Sequence, residues 1–209
     1  MTTGLRELKK QQTRQAISDT ATRLFLERGF EEVTITEIAA AARVAKMTVT
    51  NHFPRKEDLA LDYHETFAAS LARTVETRRK GKSALAALRR EFLDQLARHD
   101  VLAGFSGPDF ARMVTDSPTL TTRLRDLHDQ REEALARTLA ADTAADPADI
   151  EPRAAAALLG AAHRILFHEV MGLTLRGTGN EGIAAIAARS ARHVFGLLEP
   201  SLGGYAVRG

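Results

Sequence analysis

Apolar residues along this chain recur at intervals of three and four, and no stretch sustains the alternation of a half-buried strand. Ile17, Ala21, Leu24 and Phe25 mark one helix over about residues 10–28, with Gly29 placed to stop it. Thr34-Ile-Thr-Glu37 reads as a capping box, in which the Thr oxygen accepts from the Glu37 amide while the Glu side chain reaches back; a short helix through Ala42 follows. A third helix is predicted over about residues 46–53, closed by Pro54, and a fourth opens at Lys56-Glu57-Asp58, whose acids suit the positive end of a helix dipole. Beyond it, Gly81, residues 104–108, Pro118, residues 142–149 and residues 177–179 punctuate the chain into longer helices near 56–79, 83–98, 109–116, 119–141, 150–176 and 181–198. No internal repeat marks a solenoid. The expected class is all-α, with a helix-turn-helix domain over residues 1–55 and a helical domain over residues 56–209.

Composition narrows this picture. Of the 209 residues, 44% are hydrophobic and 27% charged, enough apolar material for a buried core and too much for a disordered chain. Cys is absent, which excludes disulfides, thiolate zinc sites and a cysteine nucleophile. Trp is also absent, and nine Phe with two Tyr are few for a surface that stacks single-stranded bases. The amino terminus carries charges with no apolar run behind them, and the most apolar stretch, residues 154–170, is interrupted by His163, Arg164, His168 and Glu169. A cytoplasmic protein without membrane attachment is expected. The net charge of +2 is unevenly placed: residues 1–60 hold ten cations against eight acids, and the other 149 residues balance at nineteen of each. Arg6, Lys9, Lys10 and Arg14, opposed only by Glu7, make a basic amino-terminal arm.

Two short helices joined by a tight connection are the helix-turn-helix arrangement, whose second member lies in the major groove of DNA. At about 100° per residue, Val49 and Phe53 share the inward face of the third helix. Met47 and Asn51 then project outward, flanked by Thr48 and Thr50. This row, beside Lys46, His52 and Lys56, offers donors and acceptors for base edges and cations for phosphates.

The segment Thr34 to Leu59 resembles the DNA-binding signature of the tetracycline-repressor (TetR) family of bacterial regulators. Its most specific part is V-x-K-x-T-V-x-x-H-F-x-x-K-E-x-L. Residues 14–30, with A-x-x-L-F-x-x-x-G-F, resemble the family's first helix. The resemblance covers about the first sixty residues, with three departures. Arg43 stands where the family has Gly in the turn, Ala45 replaces a Ser that would cap the third helix, and Met47 replaces a frequent Gly. By similarity and geometry, Arg14, Thr34, Lys46, Met47, Thr48, Thr50, Asn51, His52 and Lys56 are the expected DNA-binding residues. Asn51 is the first choice for base reading, and Lys56, Arg14 and the basic arm are expected at phosphates.

The resemblance further implies a homodimeric regulator on a palindromic double-stranded operator, a repressor by family habit, released by a small-molecule effector. A dimer matches half-sites about 34–36 Å apart or a multiple of that. For the interface the last two helices are expected, with Ala157, Gly160 and Ala161 on one and Ile183, Ala187 and Val194 on the other, some of these apolar positions also filling the core. An apolar cleft with a few polar groups is the usual form of a small-molecule site. The candidates for it are His64, Phe67, Phe92, Phe110, Met113, Leu127, His128, Arg131, His163, Phe167 and His168. The alternative for each His is a packed core or rim residue, and for Arg131, followed by two Glu, a solvated face. The helix expected over 56–79, with Lys56 at one end and His64 and Phe67 farther along, is the expected lever between the two functions.

Enzyme signatures fail on inspection. His168-Glu169 and His64-Glu65 lack the second His four residues after the first, at Gly172 and Ala68. Gly104-Phe-Ser106-Gly107 matches a nucleophile elbow only loosely because Pro108 stands at its last position. Neither a phosphate-binding loop nor a dinucleotide fingerprint is present. No catalysis, cofactor or metal is expected. The competing class is a helical small-molecule-binding protein or enzyme whose amino-terminal domain no longer reads DNA, which the three departures make conceivable.

Overall fold

A computed structural model of the chain describes residues 2–209. Its described residues form ten α-helices and one short 3-10 turn, with no strand beyond an isolated bridge between Ser83 and Val207. The all-α expectation is met. The chain divides into two compact units: residues 1–64 with 112–123, and residues 65–111 with 124–209.

The first unit is built on α1 (Thr2–Arg28), α2 (Ile35–Ala41), α3 (Lys46–His52) and α4 (Glu57–Ala60). α1 starts well before the expected residue 10, because Arg6, Glu7, Leu8, Lys9, Lys10, Gln11 and Gln12 are all strong helix formers even without an apolar stripe. It stops where expected: Gly29 adopts a left-handed φ of +88° and its amide bonds to the Phe25 carbonyl at 2.8 Å. Ile17, Ala21 and Phe25 of α1 are buried, as are Phe30, Val33, Ile38, Val49, Phe53 and Leu59, and α1 packs against α2, α3 and α4. The end of α7 (Pro108–Asp116) and the start of α8 (Pro118–Thr143) join this unit. Ser117 donates to Glu31 Oε1 at 2.5 Å, and buried Arg123 donates to Asp58 Oδ1 through Nε at 3.1 Å and Nη2 at 2.8 Å.

The single helix expected over 56–79 is corrected to two. α4 closes when the Leu61 amide bonds to the Glu57 carbonyl, and Leu61 then leaves helical geometry at φ −108°, ψ 57°. Asp62 is held aside by α1, its carboxylate accepting from Ser18 Oγ at 2.7 Å and its carbonyl from Arg14 Nη2 at 3.4 Å. The chain resumes as α5 (His64–Glu76).

The second unit contains most of α5, α6 (Ala84–Ala97), the 3-10 turn Val101–Ala103, most of α8, α9 (Glu151–Leu175) and α10 (Asn180–Leu202). Its core interleaves Leu71 and Val75 with Leu85, Leu88 and Phe92, Leu135 and Leu139, Leu159, Leu166 and Val170, and Ile183, Ala187 and Phe195. Pro152 opens α9 in the first turn, where its missing amide costs no helical bond. α10 runs past its expected end, through Pro200 to Leu202. Buried Arg78 ties the carboxyl-terminal residues down, donating to the carbonyls of Lys82 and Ala206 and pairing with Asp142.

Candidate functional site

The candidate nucleic-acid interface lies in the first unit and grows from local signals. Thr34 caps α2: its hydroxyl accepts from the Glu37 amide at 3.3 Å, and its own amide donates to Glu37 Oε2 at 2.8 Å. These bonds from Thr34, with Arg28 at 2.8 Å, hold the Glu37 carboxyl down at about 2. The turn into α3 passes through Arg43 at φ +56°, so this residue does adopt the left-handed conformation that the family's Gly takes without strain. Ala45 precedes α3 in extended geometry and gives it no side-chain cap.

α3 presents two unlike faces. Val49 is 0% exposed and Phe53 just past its end is 1% exposed, while Met47 is 69% exposed and Lys46 and Asn51 also face outward. Thr48, Thr50 and His52 are half-buried flanks. The Thr50 hydroxyl is turned back onto its own helix, donating to the Met47 carbonyl at 3.1 Å. Burial first, and then the cations Arg14 and Lys10, push the His52 imidazole below its ordinary value. His52 is therefore neutral at physiological pH and can accept as well as donate.

Two residues expected at phosphates have partners within the protein. Arg14 Nη1 donates to the His52 carbonyl at 2.8 Å, and its guanidinium lies 4.1 Å from the Phe53 ring centre. It thus places a cation at the negative end of α3. Lys56 donates to the Glu31 carbonyl at 3.2 Å and sits 4.3 Å from the Phe30 ring centre. Burial lowers its pKa against the opposing pull of Glu31, Glu57 and other acids. Sequence reasoning misses the supporting roles of Phe30, Ser18 and Asp62, since such partners lie 25 or more residues from the groups they hold.

The second unit gathers most of the effector candidates. Phe67, His128 and Phe167 form a triangle with ring centres 5.0, 5.3 and 5.5 Å apart, and His168 lies 5.6 Å from His128. His163 packs edge-on between Phe92 and Phe195 at 5.4 and 5.3 Å. Arg131 is 2% exposed, its guanidinium 4.5 Å from the Phe67 ring centre and its Nε donating to Ser70 Oγ at 2.7 Å. The solvated-face alternative for Arg131 is thereby excluded. Burial lowers His128 to about 3, helped by the Arg131 charge, and lowers His163 well below its ordinary value. Leu127 is buried and Phe110 half-buried. His64 and Met113 belong to the first unit, where His64 Nδ1 lies 2.9 Å from the Leu61 carbonyl and the Met113 carbonyl accepts from the Ser117 amide.

The dimer candidates divide by exposure. Ala157, Gly160, Ala161 and Val194 are half-buried, but Ile183 and Ala187 are 0% exposed within their own protomer. These two are core residues, a correction that follows from α10 burying its Ile183, Ala187, Ala191 and Phe195 stripe against α6 and α9. Three apolar residues of these helices stay outside: Leu158 and Ile165 on α9 and Leu197 on α10, with Ile165 61% and Leu197 66% exposed.

Among the described residues no group of three His, Cys, Asp or Glu could hold a metal ion, and no helix is long and apolar enough to cross a membrane. Residues 17–63 match the family described as bacterial regulatory proteins, tetR family. The HTH-type transcriptional regulator TcmR of Streptomyces glaucescens is 31% identical over 172 residues, covering 79% of this chain and 76% of the relative. NalD of Pseudomonas aeruginosa, the secondary repressor of the MexAB-OprM multidrug efflux pump, has a similar fold at TM-score 0.54 and 18% identity, over 94% of this chain and 98% of NalD. FadR of Bacillus subtilis, solved in complex with stearoyl-CoA, aligns at TM-score 0.51 and 16% identity, over 87% of this chain and 97% of FadR. With a capped α2, an exposed polar ridge on α3 and a helical second unit, the chain belongs to the TetR family of DNA-binding transcriptional regulators.

Proposed function

We propose that the protein is a homodimeric repressor that reads a palindromic operator through α3 and leaves it when a small molecule occupies the second unit. The observation that carries this reading is the two-faced α3, with Val49 buried beneath and Lys46, Met47 and Asn51 exposed above. Such a ridge serves no packing purpose and suits the major groove, where Asn pairs with adenine edges and Lys with guanine edges or phosphates. Lys46, Met47, Thr48, Thr50, Asn51 and His52 form the reading surface. Thr34 presents the amino terminus of α2 to a phosphate. Arg14 and Lys56 support that surface through His52, Phe53, Glu31 and Phe30, in addition to any phosphate they reach.

Dimerisation through α9 and α10 uses Ala157, Leu158, Gly160, Ala161 and Ile165 of one helix and Val194 and Leu197 of the other, whose small residues permit close approach. The Arg131, His128 and His163 cluster is the effector site. Similar proteins support both halves: NalD is a repressor, and FadR was solved with stearoyl-CoA. Effector release requires unequal affinity for DNA-competent and incompetent states, a coupling of about 1–3 kcal/mol in typical cases. α8 is continuous from Arg123, paired with Asp58 in the first unit, to Arg131 in the second, and is the element through which the two sites communicate.

Protection mapping on the DNA flanking the gene tests the proposal. The expected footprint is two-fold symmetric, with half-sites about 34–36 Å apart or a multiple of that. Absence of any footprint, or salt-independent association, would contradict it.

A further inference from the structure

Among the described residues three arginines are buried, and they are not treated alike. Arg78 is neutralised by Asp142 and several carbonyls, and Arg123 by Asp58. Arg131, the most buried of the three, has the Ser70 hydroxyl and the face of Phe67, and among the described residues no carboxylate pairs with it. Its two terminal nitrogens take part in no hydrogen bond or ion pair with any described residue. A guanidinium stays charged even where burial pushes it down to about 9, as here. An uncompensated buried charge is among the most costly features a core can hold, and a protein retains one where a counter-charge arrives from outside.

The surroundings describe what arrives. His163 has both ring nitrogens buried without a hydrogen-bond partner, and so does His128 at Nε2. Both imidazoles are held neutral by burial, so each carries one N–H donor and one acceptor. Around them stand aromatic faces and edges from Phe67, Phe92, Phe167 and Phe195, with His168 beside His128. One cation, two idle neutral imidazoles and an aromatic wall make a site for an apolar body carrying one negative charge and further polar atoms. A single anionic oxygen on one guanidinium nitrogen suffices, and no bidentate fork is required.

We infer that the effector is an organic anion, an apolar molecule whose carboxylate or ionised phenol pairs with Arg131 while its polar substituents meet His128 and His163. The inference rests on the reading of this cluster as the effector site and gives that site a ligand class. Glu169, the acid of α9 nearest in sequence to the cluster, accepts from Ser190 at Oε1 at 2.8 Å and keeps Oε2 buried without a partner, and neither oxygen pairs with Arg131.

Matched acid and amide probes test it. The chain has no Trp, so naphthalene fluorescence is read without indole background. 2-Naphthoate against 2-naphthamide, and 2,4-dinitrophenolate against 2,4-dinitroanisole by calorimetry, are titrated into the full-length protein at neutral pH. The expected result is at least tenfold tighter binding of one or both anions over their neutral partners. Arg131→Met is expected to erase that preference by weakening the anion alone, and Arg131→Lys to restore part of it, with cooperative thermal unfolding of each variant verifying its fold. The preference in the unmutated protein is a readout that no folding defect can affect. Carboxylate and phenolate are told apart by which pair discriminates. Equal binding of anion and neutral partner, binding of neither, or a preference that survives in folded Arg131→Met overturns the inference. The operator footprint in the same preparations separates this outcome from failure of the regulatory reading: a retained footprint with no anion preference removes the ligand class alone.

Discussion

Replacing Arg14 with Met probes how the reading helix is held. The substitution keeps an apolar cover on Phe53 but removes a charged hydrogen bond to the His52 carbonyl at 2.8 Å and the guanidinium 4.1 Å from the Phe53 ring. A hydrogen bond to a charged group contributes about 1.5–3 kcal/mol, and a partly exposed cation over an aromatic ring about 0.5–1 kcal/mol. The two share one side chain and do not add independently, so the expected loss is about 2–3 kcal/mol. At roughly 2–4 °C per kcal/mol for a chain of this size, the melting temperature should fall by about 4–12 °C. Operator affinity should fall as well, because α3 loses the cation at its carboxyl-terminal end. The decisive reading is the slope of log affinity against log salt, measured by fluorescence anisotropy on an operator duplex. A residue that positions α3 leaves the slope unchanged, whereas loss of one phosphate contact reduces it by about 0.9. A reduced slope with an unaltered melting temperature would refute the positioning role.

Arg43→Gly should stabilise the protein by about 0.5–1 kcal/mol in urea unfolding, because the left-handed φ of +56° strains a side-chain-bearing residue by roughly 1–2 kcal/mol, offset in part by glycine's greater unfolded-state entropy. Acid should destabilise the second unit. His128 falls to about 3 from an ordinary 6.5, so the unfolded chain takes up its proton first and stability is lost as pH drops from 6.5 toward 3. At pH 5.5 that loss is about 1.4 kcal/mol relative to pH 8, and His128→Leu should shrink the difference by this amount; His163 acts in the same direction. Arg123→Met leaves Asp58 buried without its partner and should cost about 3–5 kcal/mol, while replacing the pair together should cost much less. Ile165→Arg, on an exposed position of α9, should yield a folded monomer on gel filtration with weakened operator binding; a dimer of unchanged size would remove α9 from the interface.

What the sequence disclosed was what short-range geometry encodes. The capping box of Thr34 and Glu37 spans three residues, Gly29 ends α1 at one position, and Val49 and Phe53 share a face because they are four apart; all three stand as expected. The unexpected features depend on distant partners. The break at Leu61 coincides with Asp62 being held by Ser18 and Arg14, and nothing within residues 56–79 announces it. Residues 112–123 joined the first unit through Ser117 and Arg123, whose partners Glu31 and Asp58 are 86 and 65 residues away. α9 and α10 are apolar on more than one side, so periodicity alone did not separate the buried Ile183 and Ala187 from the exposed Leu158, Ile165 and Leu197. Arg131 sits beside Glu132 and Glu133 in sequence yet turns into the core, a choice made by packing against Phe67 and Ser70.

Whether the outward row of α3 reads base edges decides the regulatory reading. Anisotropy titrations of an operator duplex and of a scrambled duplex, across a salt series, compare the unmutated protein with Asn51→Ala and Lys46→Ala. Asn51→Ala should lose about 1–3 kcal/mol on the operator and almost nothing on the scrambled sequence, while Lys46→Ala should weaken both and lower the salt slope by about 0.9 if it meets a phosphate, or relax sequence preference if it meets a base. Folded variants that bind the operator as tightly and as selectively as the unmutated chain would show that this row does not read DNA.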